Sequence, residues 1–233
     1  MNFEYTHALV CDDVPKSVIN GLSLDEHEPV DYEMAKNQHE SYLKHLESCG
    51  IKLVKIQSNE NHPDCVFVED TCIALGNKIF ITNPGAESRR NEVLSVKSKL
   101  EQISKELNLQ IGTVQNTNES FIEGGDCMFT GKEFIIGTST RTNQKGIDEF
   151  KTFFSEYSIT VCQVSEGLHL KSFMSMISPG VIIISRTKEA NLIQEQIIMK
   201  SKFGSEYEFV KVDENCAANI LNMSIYNLQF PIM

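Results

Sequence analysis

Three carboxylates stand within seven residues: Asp64, Glu69 and Asp70 belong to the run His62-Pro-Asp-Cys-Val-Phe-Val-Glu-Asp70. Acids beside so apolar a segment are costly to bury unless a cation meets them. The run is therefore either a strand end with solvated acids or a carboxylate pocket for a positively charged ligand. Pro63 pushes its neighbours toward extended geometry, so residues 64–68 read as a strand. Strand alternation then puts Asp64 and Asp70 on one face and Glu69 on the other. A common acidic site would need a bend or bulge at one end.

Four further clusters carry chemistry. Arg89 follows Pro84 and Gly85 at the start of a helix, where a cation opposes the helix dipole unless it has a partner. Glu92 would be one partner; a ligand carboxylate, gripped by two parallel hydrogen bonds, would be the other. Arg141 poses the same choice in a loop of turn formers. Glu123-Gly-Gly-Asp126 separates two acids by residues without side chains, which makes either a tight turn or a place of close approach. His169 lies between Leu168 and Leu170 and is structural unless an acid meets it. With an acid in reach it becomes a general acid or base. Glu123 is the candidate acid, since both residues sit at strand starts in neighbouring repeats.

Those residues need elements to hold them. Helical spacing covers residues 31–48, with Asp31 as N-cap and an apolar stripe of Met34, Ala35, Tyr42, Leu43 and Leu46. Strands are expected at 6–10, 51–56 and 64–68. A hairpin follows at 72–75 and 78–82, then a helix at 88–107 and a strand at 109–114. The order recurs: strands at 123–129 and 134–137, helix at 144–154, strand at 159–164. It recurs again: strands at 172–176 and 181–185, helix at 189–199, strand at 207–212. A fourth round would start near 217–223. Units of roughly 45–55 residues point to a repeat array or propeller rather than a doubly wound sheet. The chain reads as a single domain spanning residues 1–233.

The bulk numbers narrow the class. The chain has 233 residues, is 41% hydrophobic and carries a net charge of −11. That charge argues against a nucleic-acid partner, which needs a basic face. No apolar run approaches a membrane span and no secretory leader is visible. The 7 cysteines show neither paired nor zinc-ligand spacing, which suits a reduced, cytoplasmic protein.

Taken together, His62 to Asp70, Pro84-Gly-Ala-Glu-Ser-Arg-Arg90, Glu123-Gly-Gly-Asp126 with Phe129-Thr-Gly131, Arg141-Thr-Asn-Gln144 and Gly167-Leu-His-Leu-Lys-Ser172 resemble the dimethylarginine dimethylaminohydrolase family. The motifs come in that family's order and cover most of the chain. The resemblance implies a pentein fold, an α/β propeller of repeated ββαβ units. It implies hydrolysis of N-omega-methylated arginines to citrulline and a methylamine, without cofactor or metal. In the family this clears inhibitors of nitric oxide synthase. By motif position, Asp64 and Glu69 would hold the guanidinium and Asp70 the α-amino end. Arg89 and Arg141 would bind the α-carboxylate. His169 would be the general acid and base, oriented by Glu123, with Asp126 beside them. Arginine deiminase chemistry is the runner-up within the same fold.

The resemblance also implies a nucleophilic cysteine in a strand past Cys216-Ala-Ala-Asn219. The tail from Met223 to Met233 does not look like that continuation. The sequence thus reads as a C-terminally truncated or divergent member with an incomplete last unit and no nucleophile assigned. Cys216, Cys65 and Cys72 match positions the family does not use for attack. A non-catalytic module that binds an arginine-like ligand or a protein is the alternative.

Overall fold

The computed structural model describes residues 5–22, 29–213 and 216–222. The described residues form two compact units, divided between Val68 and Glu69.

In the first unit, β1 (His7–Cys11) and β2 (Lys52–Ile56) pair in parallel, with Cys11 opposite Ile56. Parallel neighbours need a long crossover, and α1 (Tyr32–Ser48) supplies it. Asp31 caps this helix by accepting the Met34 N–H at 3.0 Å. Leu43 and Leu46 pack on Val10 and Ile51. The buried stripe is narrower than its spacing suggests. Met34 and Tyr42 are exposed, because a two-stranded sheet offers a narrow face.

The second unit is built from three copies of one plan. The first copy holds β3 (Cys72–Leu75), β4 (Lys78–Ile81), α2 (Glu92–Ile103) and β5 (Gln110–Thr113). The second holds β6 (Cys127–Phe129), β7 (Glu133–Thr138), α3 (Gln144–Phe153) and β8 (Ser158–Gln163). The third holds β9 (Met174–Ser178), β10 (Val181–Ser185), α4 (Lys188–Lys200) and β11 (Glu208–Val212). In each copy the second strand is central. It pairs antiparallel with the first strand and, after the helix, parallel with the last. Each hairpin turns through a glycine of positive φ, Gly76, Gly131 or Gly180, a conformation that a Cβ makes costly. This is the repeated ββαβ plan that the sequence pattern gives.

Phe80, Phe134, Phe150 and Phe154 fill the core between the first two copies. Phe134 meets Phe150 edge to face at 4.9 Å, a favoured arrangement for two ring quadrupoles. Glu133 is a buried carboxylate that opens β7 and accepts hydroxyls from Thr160 and Tyr207, each at 2.8 Å, and from Ser201. Charged acceptors tolerate burial when so many donors converge on them.

Several expected elements differ. Residues 64–68 form no strand. Cys65 N–H reaches the His62 carbonyl at 3.0 Å and Phe67 N–H that of Asp64 at 2.9 Å. These are turn bonds, and Pro63 sits where its fixed φ favours a turn. A 3-10 turn, Val68–Thr71, follows directly. The expected strand over 123–129 is strand only from Cys127; Gly124–Asp126 is another 3-10 turn. A third, Leu170–Ser172, precedes β9. Each copy therefore enters its first strand through the same tight turn. The helix expected over 88–107 runs only over Glu92–Ile103, with Glu87–Arg89 a 3-10 turn before it. At 216–222 the structure holds a 3-10 turn, Cys216–Ala218, and no strand; Met223 lies outside the described residues.

Candidate active site

The three entry turns bring the chemistry together. Asp70 comes from the first, Glu123 and Asp126 from the second, and His169 caps the third. All four side chains are buried. His169 Nε2 lies 2.6 Å from Glu123 Oε2 and 3.9 Å from Asp70 Oδ1. Asp70 Oδ1 also accepts the Gly125 N–H at 2.9 Å.

The two glycines between Glu123 and Asp126 are needed for this closeness. A Cβ on Gly125 would stand 2.6 Å from His169 Nδ1 and 2.8 Å from Asp70 Oδ1. A Cβ on Gly124 would strike the Glu69 carbonyl oxygen. What approaches these glycines is the backbone and side chains of the neighbouring repeats.

Asp126 fixes two loops at once. Its Oδ1 accepts the Leu170 N–H at 2.9 Å, and its Oδ2 accepts the Ser139 hydroxyl at 2.6 Å. Ser139 Oγ in turn accepts the N–H groups of Arg141 and Thr142. Thr142 Oγ1 accepts the Glu123 N–H at 3.0 Å. His169, Arg141 and Glu123 thus hang on one polar scaffold. Sequence reasoning missed Ser139 and Thr142 as scaffold groups. Their only signal was the density of turn formers over 138–144.

Arg89 is buried and fully engaged. Its NH1 donates to Asp70 Oδ2 at 2.6 Å, while Nε and NH2 donate to Glu92 Oε2 at 3.0 and 2.8 Å. The helix-start arginine takes both an acid of its own helix and the acid of the entry turn. Arg141 approaches Glu123 Oε1 at 3.8 Å. Glu69 points elsewhere: its half-exposed carboxylate pairs with Lys171. Asp64 lies in the first unit and accepts the Leu22 N–H at 3.1 Å. Of the sequence-derived set, Asp70, Arg89, Glu123, Arg141 and His169 meet directly. Of the adjacent acids Glu69 and Asp70, Asp70 is the one that approaches the Glu123–His169 pair.

The electrostatics follow from burial and pairing. Burial alone would lower the His169 pKa. The Glu123 hydrogen bond and the charges of Asp70, Asp126 and Glu123 outweigh it and hold the imidazolium above its ordinary range. Burial would raise Glu123, yet the His169 bond and the charges of His169, Arg141 and Arg89 keep it below the usual carboxylate range. Asp126 is pushed up, because burial exceeds the help from His169, Ser139, Thr142 and Leu170. Burial also holds two nearby thiols protonated: Cys72 is pushed up to about 12 and Cys127 well above the thiol range. Asp70, Glu123 and His169 offer ligand atoms within 4.8 Å of one another. Among the described residues this is the set that could hold a metal ion.

Comparison with known proteins fits this constellation. A family model described as N,N-dimethylarginine dimethylhydrolase, eukaryotic, matches residues 3–227. The chain belongs to this family. It is 30% identical over 211 residues to N(G),N(G)-dimethylarginine dimethylaminohydrolase of Pseudomonas aeruginosa, covering 88% of this chain and 77% of that protein. It is 31% identical to the Streptomyces coelicolor protein of the same name, over 68% of this chain and 60% of that one. Among solved structures, the Pseudomonas enzyme as a cysteine-to-serine mutant complexed with citrulline superposes with a TM-score of 0.81 at 26% identity, covering 95% of this chain and 82% of that one. The dimethylarginine dimethylaminohydrolase family has the pentein fold, and so does this chain. Its members are hydrolases that act on amidino C–N bonds. No helix among the described residues is long and apolar enough to cross a membrane.

Proposed function

We propose that this chain hydrolyses N-omega-methylated arginines, asymmetric dimethylarginine and monomethylarginine, to citrulline and dimethylamine or methylamine. One observation carries the reading: a buried histidine paired with Glu123 at 2.6 Å, with Asp70 3.9 Å away. A methylated guanidinium is flat, cationic and a poor electrophile. Asp70 fixes its plane beside His169. A thiolate adds to the central carbon, and His169 gives its proton to the departing amine. His169 then takes a proton from water, which attacks the covalent intermediate and releases citrulline. Glu123 holds the ring for both transfers. Arg141, which approaches Glu123 only to 3.8 Å, is the less committed cation and takes the substrate α-carboxylate. Arg89 supports it while holding Asp70.

No residue is assigned as the attacking thiol. The Cys72 and Cys127 thiols are both pushed up, which disfavours the thiolate that attack requires.

The test is citrulline release from asymmetric dimethylarginine, followed together with calorimetric binding of citrulline. Wild-type turnover that falls at least a hundredfold in His169→Ala and Glu123→Gln is the expected result. Turnover undiminished in His169→Ala overturns the assigned roles. Binding without turnover overturns hydrolysis and leaves a ligand-binding site. Turnover of unmethylated arginine in preference to the methylated form would shift the substrate class.

A further inference from the structure

Two thiols meet inside the first unit. Cys11 Sγ and Cys65 Sγ lie 4.0 Å apart, although 54 residues separate them in sequence. Cys11 ends β1, where it is 1% exposed. It is well anchored: it pairs opposite Ile56, and its carbonyl oxygen lies 2.9 Å from His39 Nε2. Cys65 is only partly buried. It sits in the turn closed by the Cys65–His62 and Phe67–Asp64 backbone bonds. The same turn carries Asp64, whose two oxygens take the Leu22 N–H at 3.1 and 3.3 Å.

We propose that Cys11 and Cys65 are a redox pair, and that their disulfide draws the Asp64 turn onto the end of β1. Peroxide is the oxidant class that the accessible thiol meets. The Cys65 thiolate attacks a peroxide oxygen, the O–O bond breaks, and a sulfenic acid and hydroxide result. The Cys11 thiolate then attacks the Cys65 sulfur. The S–S bond forms, the S–O bond breaks, and a second hydroxide leaves. The two thiol protons convert both hydroxides to water, so two electrons pass from sulfur to peroxide. The order follows from access and acidity. Contact with Cys65 and burial push the Cys11 thiol up, so the outer sulfur is oxidised first and the inner one resolves it.

The geometry makes this a mechanical event. The sulfurs must close from 4.0 Å to about 2.05 Å. Cys11 is held by the β1–β2 ladder, so the Cys65 turn takes up the movement. The two Asp64–Leu22 bonds are already long and have little slack. Oxidation therefore loosens Leu22. Where the hydrolase reading holds, oxidation also shifts Asp64, one of its candidate ligand-binding acids. The pair itself needs no substrate to be seen.

The experiment treats the full chain with a small excess of hydrogen peroxide and maps it by mass spectrometry without reduction. A linked pair of peptides containing Cys11 and Cys65, two hydrogens lighter than the reduced pair and reversed by dithiothreitol, is expected. Cys65→Ser abolishes it, and Cys11→Ala leaves Cys65 at the sulfenic stage, trapped by dimedone. Amide exchange at Leu22 speeds up at least threefold in the oxidised wild type and stays unchanged in Cys65→Ser. Free thiols at both positions after oxidation, or Cys65 linked to another cysteine, overturns the pair. A disulfide with unchanged Leu22 exchange overturns the coupling to the Asp64 turn. Neither readout depends on hydrolysis, so failure here is distinct from failure of the proposed function.

Discussion

Gly125→Ala tests whether the histidine is held by the close approach of neighbouring entry turns. Gly125 does not have a positive φ, so an added methyl brings no backbone strain. Its cost is steric alone. The new Cβ would stand 2.6 Å from His169 Nδ1 and 2.8 Å from Asp70 Oδ1. Ordinary contact begins near 3.4 Å, so the ring must retreat by about 0.8 Å. It cannot simply slide, because its other nitrogen already sits 2.6 Å from Glu123. It must tilt and lose the alignment of that hydrogen bond. Overpacking costs about 1–3 kcal/mol, and a weakened charged hydrogen bond adds part of its roughly 1.5–3 kcal/mol. A total of about 2–4 kcal/mol is expected, which lowers Tm by roughly 4–16 °C for a chain of this size. The assay is thermal and urea unfolding, with His169 followed by its ring proton resonances. Gly76→Ala is the control. Its Cβ meets nothing within 4 Å but its φ is +61°, so it loses about 1–2 kcal/mol and leaves the His169 resonance in place. Gly125→Ala within 0.5 kcal/mol of wild type, with an unmoved histidine signal, would refute the reasoning.

Other outcomes are open to measurement. Glu123 is depressed, so its contribution to stability is present above its ordinary 4.5 and is lost as pH falls through its folded value. His169 is raised, so its contribution is present below 6.5 and is lost as pH rises through its folded value. The pair therefore stabilises most between those limits; the urea midpoint from pH 4 to 9 should show this, and Glu123→Gln should flatten it. Tyr207→Phe removes a hydroxyl donor from Glu133 and the hydroxyl that Thr130 Oγ1 meets at 2.9 Å, and urea titration should record a loss of about 1–3 kcal/mol. Asp31→Ala removes the α1 cap and should cost about 1 kcal/mol by the same method, with no change in the His169 resonance.

Much of the architecture was legible because it repeats. The hairpin glycines, the helical spacings and the parallel return strands recur with local signals strong enough to read one copy at a time. Asp31 announced its helix by chemistry that acts over three residues. The entry turns were harder. Val66, Phe67 and Val68 look like strand residues, yet Pro63 and the turn bonds of Cys65 and Phe67 prevail. A short 3-10 turn has no period to detect. Since the site is built on these turns, its residue types could be read while their facing could not. Strand alternation split Asp70 from Glu69 by face, but the deciding contacts come from outside the turn: Arg89 of the same repeat with Gly125 and His169 of the other two for Asp70, and Lys171 for Glu69. Asp126 shows the same limit. Its value as a scaffold lies in Ser139 and Leu170, neither adjacent to it in sequence.

The three entry turns also set when the site comes into being during folding. Glu123 and His169 are 46 residues apart, and Asp70 meets Gly125 across 55. Each repeat closes its own hairpin locally, but these contacts close long loops, and their entropy must be met before any hydrogen bond rewards it. The histidine pair therefore forms late, after the repeats have docked. Opening the second repeat dissolves it while the other two keep their sheets. Protection of the Gly125 amide, bonded to Asp70 of the first repeat, should then be lost when a single repeat opens, before the whole second unit unfolds, and no partly folded chain should hold a partly competent site.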